Sequence, residues 1–173
     1  MSQPNDRPSL PTRPSTLILG LGNILLADEA VGALAVRHLE AATPDASALA
    51  FLDGGTLGFT LAIPIAEHAR LIVIDAASMG DPPGSIRVFE GESMDRQLSG
   101  YASSIHEVSL ADVLDIVRLT DSLPARRALI GIEPELIAWG DGLTPAVEAA
   151  LPQVLERVRA LLDRWDREDG AAG

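Results

Sequence analysis

Cysteine is absent from this 173-residue chain. That excludes a disulfide framework and thiolate metal ligands, so any metal site must use His nitrogen and carboxylate oxygen. Basic residues are scarce: 13 Lys and Arg stand against 25 Asp and Glu, for a formal charge of −12. They are scattered, not gathered into a stripe, and the resulting field repels phosphate backbones, so no nucleic acid partner is expected. Nowhere is there the run of about 18 apolar residues that a bilayer-crossing helix needs. The opening segment MSQPNDRPSLPTRPS holds four prolines and no apolar run. It fits neither a secretory signal nor a folded element. Residues 1–15 are therefore expected to be a disordered leader, 16–168 a single domain with one core, and 169–173 a frayed tail. A cytoplasmic protein without membrane contact is expected.

What is present is a βαβαβ alternation. Thr16 to Leu21 (TLILGL), Ala48 to Leu52 (ALAFL) and Leu71 to Ile74 (LIVI) are short apolar runs ended by Gly or Asp, the pattern of strands buried on both faces. Residues 28–40 carry Val31, Leu34, Ala35 and Leu39 at helical spacing, and a second helix is placed at 56–68 despite Pro64. With helices on both faces, right-handed crossovers put strands two and three on opposite sides of strand one. Ser85 to Glu90 follows Asp75 after only nine residues, too few for a helical crossover, and is expected to be antiparallel. Residues 91–105 must lead the chain back along the sheet to a helix at 107–120 and a last strand at 127–132. Thr144 and Pro145 read as the cap and first position of a final helix that Pro152 should kink or restart. The fold class is α/β: a mostly parallel five-stranded sheet with one antiparallel strand, between helical layers.

Gly20-Leu-Gly22 follows a strand and precedes a helix, which invites comparison with G-x-G-x-x-G. The comparison fails at Leu25, where the third Gly should be, and at the acidic helix start Asp28-Glu29, which repels a pyrophosphate. The two glycines are read instead as a tight turn leaving an open floor beside the sheet. Asp28 reads as a cap of the helix or a partner of its dipole. Glu29 emerges at the C-terminal end of strand one and Asp75 ends strand three, so two carboxylates are expected to face one crevice. His38 and His68 fall near helix C-termini, where imidazolium is stabilised without a site. His106 falls at a helix entrance that favours neutral, metal-binding imidazole. On pattern alone, a Glu29, Asp75 and His106 metal cluster and a hydrogen-bonded network stay open as alternatives. No G-x-S-x-G elbow supports a serine nucleophile. Asp53, before Gly54 and Gly55, reads equally as turn chemistry or as a substrate contact.

Taken in order, GLGNILLADEAVG, FLDGGTLG, LIVIDAAS, IHEVSLADVL, LIGIEPE and GLTPAVE resemble the maturation endopeptidases of nickel-iron hydrogenases, over about residues 17–162. The resemblance implies an aspartyl-type endopeptidase that removes the C-terminal extension of a nickel-loaded large-subunit precursor. It implies metal ligands Glu29, Asp75 and His106, a catalytic role for Asp75 and for Asp53, and contact of Gly54 and Gly55 with the bound tail. Nickel is then carried by the precursor, with no permanent cofactor, and a monomer is expected. The general base is left open among Asp53, Asp75 and a metal-bound water. A non-enzymatic nickel chaperone using the same ligands is the alternative. The leader and the interval 91–104 have no counterpart in the resemblance.

Overall fold

The computed structural model describes residues 15–44, 46–56, 58–100 and 108–171. Five strands form one sheet: β1 (Thr16–Gly20), β2 (Leu49–Asp53), β3 (Arg70–Ala76), β4 (Ile86–Glu90) and β5 (Arg126–Ile132), in the order β2-β1-β3-β5-β4. All pairs are parallel except β4 with β5. Strand order and the antiparallel strand are as the crossover lengths imply. The central strands β1 and β3 are buried almost throughout, whereas β2 is half-buried because it closes an edge.

Strand alternation sorts the core into two clusters. Ile18, Ile72, Ile74, Ala128 and Ile130 face α1 (Val31–Ala42) and α5 (Pro145–Ala171). Leu17, Leu19, Leu71, Val73 and Leu129 face α2 (Ala62–Ala66), α3 (Glu92–Ser99) and α4 (Leu110–Leu119). Fully burying one such side chain stabilises the fold by roughly 1.5–3 kcal/mol. Among the described residues no helix is long and apolar enough to cross a membrane.

Four expectations change. The helix expected at 56–68 shrinks to a 3-10 turn, Phe59–Leu61, and the short α2. Part of the interval 91–105 is helix α3, held through buried Met94. Its mean hydropathy is low, so the apolar pattern gave it no signal. Helix α5 runs through Pro152 without a break, because this residue lies on the exposed side while Leu151, Val154, Val158 and Trp165 keep one continuous buried face. Residues 169–171, expected to be frayed, are helical, and Asp169 accepts hydrogen bonds from Arg70 and Arg126. Residues 1–14 lie outside the described residues, and with them the expected leader.

Candidate active site

The crevice is set by how closely α1 approaches the sheet. A Cβ on Gly32 would come within 2.2 Å of the Ile74 carbonyl oxygen and 2.3 Å of the Leu21 carbonyl oxygen. Only a residue without a side chain lets the helix start settle across the ends of β1 and β3. Gly22 has φ +126°, and a Cβ there would lie 1.7 Å from the Glu29 carbonyl oxygen, so both conformation and space demand glycine. Gly20 is covered likewise by the backbone of Gly32. The expected open floor is therefore filled, and the glycines let the chain bearing Glu29 pack directly onto the end of β1.

Glu29 sits in a 3-10 turn, Ala27–Ala30, ahead of α1. Leu21 N–H donates to the Ile74 carbonyl (2.9 Å), which brings the end of β1 alongside Asp75. Burial pushes the Asp75 carboxyl up to about 7; the Ala76 N–H opposes this, and the charge of Glu29 adds to it. The two carboxylates thus share one electrostatic environment between β1 and β3, where the strand order reverses and open α/β sheets place their ligands. Asp75 lines a cavity of about 270 Å³ with Ser78, Leu98, Ser109, Leu110 and others.

His106 lies outside the described residues; Leu98 and Ser109, on either side of its segment, both line the Asp75 cavity. Among the described residues no three His, Asp or Glu side chains are grouped to hold a metal. His38 is exposed on α1, and His68 precedes β3 at the edge remote from Asp75, its Nδ1 2.7 Å from the Pro64 carbonyl.

Asp53 occupies a different place. It pairs with Gly20 of β1, which stands between it and the strand of Asp75, and lines a separate cleft of about 340 Å³ with Gly22, Asn23, Ile24, Arg37, Gly55 and Thr56. Its carboxylate accepts from Arg37 (2.9 Å) and from the Gly55 N–H (3.1 Å). Two carboxylates sharing one proton, as in the aspartic-protease pair, would need to be close neighbours; Asp53 and Asp75 line separate cavities. Gly55, at φ +54° and with open space before it, faces the cleft, whereas a side chain on Gly54 would meet Leu19 and Leu21.

The sequence profile of the family described as Hydrogenase maturation protease matches residues 33–160. The chain belongs to this family. The Hydrogenase 2 maturation protease of Escherichia coli (strain K12) is 39% identical over 155 residues, spanning 89% of this chain and 92% of that protein. The hydrogenase expression/formation protein HupD of Rhizobium leguminosarum bv. viciae is 36% identical over 168 residues, 94% of this chain and 83% of that one. Among solved structures, the hydrogenase maturating endopeptidase HybD from E. coli superposes with a TM-score of 0.78 at 37% identity, covering 87% of this chain and 93% of that chain. This maturation protease is accordingly a peptidase with the family's fold.

Two residues of the maturation protease escaped the sequence reading. Asp28, expected only to cap the helix start or match its dipole, makes no capping bond there and is fully buried. Its carboxylate accepts from Glu135 N–H (2.8 Å), Leu136 N–H (2.9 Å), Thr144 N–H (2.7 Å) and the Thr144 hydroxyl (2.9 Å). Burial alone would raise its pKa; these bonds outweigh burial and hold it below the usual carboxylate range. Asp28 ties the turn bearing Glu29 to the segment before α5, a role with no local signature. Arg37 is the other, facing the cleft only because α1 lies beside β2.

Proposed function

We propose that this peptidase removes the C-terminal extension of the nickel-loaded large-subunit precursor of a nickel-iron hydrogenase, and that it reads the precursor's nickel through Glu29, Asp75 and His106. The observation that carries the reading is the nearness of Glu29 to Asp75 at the switch point, where the charge of Glu29 opposes ionisation of the buried Asp75 carboxyl. A divalent cation relieves that opposition and draws both carboxylates into their charged form. Oxygen and imidazole donors suit nickel, as they suit other divalent ions; nickel itself rests on the resemblance. It belongs to the substrate, and the enzyme holds no permanent metal.

Asp75 is the catalytic carboxylate in this reading: held in its charged form by the precursor's nickel, it can accept a proton from the attacking water. Asp53 and Gly55 hold the extended tail in the cleft beside β1, with Gly54 supporting the turn beneath. The enzyme works as a cytoplasmic monomer. The test is to incubate it with nickel-loaded and nickel-free precursor and weigh the intact products. Shortening of the nickel-loaded form alone is expected. Shortening of both forms would remove nickel from recognition, and binding without shortening would assign a chaperone role.

A further inference from the structure

The chain has two tryptophans, and they have opposite fates: Trp165 is 2% exposed in the core, whereas Trp139 is 78% exposed. Trp139 lies with Leu136 and Ile137 in the segment that Asp28 anchors. That segment is joined backbone to backbone to the loop carrying Ile24 and Leu25: Gly140 N–H donates to the Leu25 carbonyl (3.2 Å), Ala27 N–H to Gly140 (3.4 Å) and Asp28 N–H to Leu136 (3.2 Å). Ile24, Leu25, Leu136 and Ile137 are each 48–54% exposed. Two loops thus present five large apolar side chains on a backbone fixed by these bonds and by the four bonds of the Asp28 carboxylate. Clustered exposed apolar residues of this kind mark interaction surfaces, and a rigid aromatic anchor loses little freedom on binding.

Position decides the occupant. Ile24 also lines the cleft that holds Asp53 and Gly55, so this surface adjoins the cleft, and a polypeptide whose tail fills the cleft has its body beside these side chains. A second copy of the chain is disfavoured, because both copies would carry a charge of −12. Building on the function proposed above, we propose that Ile24, Leu25, Leu136, Ile137 and Trp139 form a platform that docks the folded body of the precursor while its tail occupies the adjoining cleft.

The test measures the Kd of full-length, nickel-loaded precursor for the wild-type enzyme, for Ile137→Ser/Trp139→Ser, and for Leu119→Ser, an exposed apolar residue at the far end of α4. Circular dichroism confirms each fold. Weakening by about tenfold or more in the double variant, as for loss of an aromatic hot spot, with Leu119→Ser unchanged, is expected. Equal affinity of the double variant and the wild type would overturn the platform, as would sedimentation showing a dimer of the enzyme alone that the double variant abolishes. Because Kd is read without cleavage, a wild-type enzyme that binds but does not shorten the precursor sinks the proposed function and leaves this comparison decisive.

Discussion

Thr144 gives both its backbone N–H and its hydroxyl to the carboxylate of Asp28, 116 residues earlier in the chain. Together with the N–H groups of Glu135 and Leu136, this contact fixes the turn that presents Glu29 against the start of α5. A buried anion accepting several hydrogen bonds is among the arrangements most damaged by a single change.

Asp28→Asn replaces one acceptor oxygen with an amide that points hydrogens at N–H donors. The expected loss is about 2–4 kcal/mol of stability, read from urea unfolding, with cleavage lost as well because Glu29 is displaced. The folded pKa of Asp28 lies below its unfolded value, so its contribution is present above the usual carboxylate pKa and disappears as pH falls through the folded value. Stability within about 0.5 kcal/mol of wild type would contradict this.

Asp75 has the opposite sign. Its carboxyl is raised to about 7, so between about pH 4 and 7 the folded protein keeps a proton that the unfolded chain has released, and stability falls as pH rises through that window. Asp75→Asn removes the titration. The variant should match wild type below about pH 4 and exceed it by about 4 kcal/mol at pH 8, while losing cleavage. Parallel pH profiles of thermal unfolding for the two proteins would show that Asp75 does not titrate in this way.

Gly32→Ala should destabilise the fold by about 2–4 kcal/mol, since the methyl group meets two strand carbonyls that no rotamer can move. Activity should fall in the fraction that remains folded, because α1 and Glu29 move together. An active variant of normal stability would mean that the helix start has slack against the sheet.

The sheet was legible because crossover length and apolar runs are local quantities, and so was the meeting of Glu29 with Asp75, which needs only the order of three strands. What stayed hidden depends on distance along the chain. Asp28 looks like any acid at a helix start, and its partners lie more than a hundred residues away. Arg37 is one basic residue on a helix until β2 brings Asp53 to it. Helix α3 is too polar to announce itself by periodicity, and the burial of Pro152's neighbours outweighs the break that proline alone suggests. The S-x-x-D cap Ser109-Asp112, with Asp112 N–H 3.2 Å from Ser109 Oγ, was a readable start for α4 and sets it at Leu110 instead of Glu107.

The histidines separate the proposed ligand from bystanders. His106→Ala should abolish processing, whereas His38→Ala and His68→Ala should leave it within about twofold of wild type, a change of under 1 kcal/mol; His38 is exposed on α1 and His68 stands at the opposite edge of the sheet. Cleavage should also fall as pH drops through the imidazole range near about 6.5, because protonated imidazole does not coordinate. Timed digestion of nickel-loaded precursor by the three variants checks this, and loss of activity in His38→Ala or His68→Ala with His106→Ala intact would contradict the ligand set.

The most direct test is the intact mass of nickel-loaded large-subunit precursor after incubation with wild-type enzyme, Glu29→Gln or Asp75→Asn, each variant first shown to be folded. The account predicts that wild type shortens the precursor at a single peptide bond near its C-terminus and that both variants leave the mass unchanged. A precursor shortened normally by folded Glu29→Gln and Asp75→Asn would show that the crevice between β1 and β3 is not where this peptidase reads or cuts its substrate.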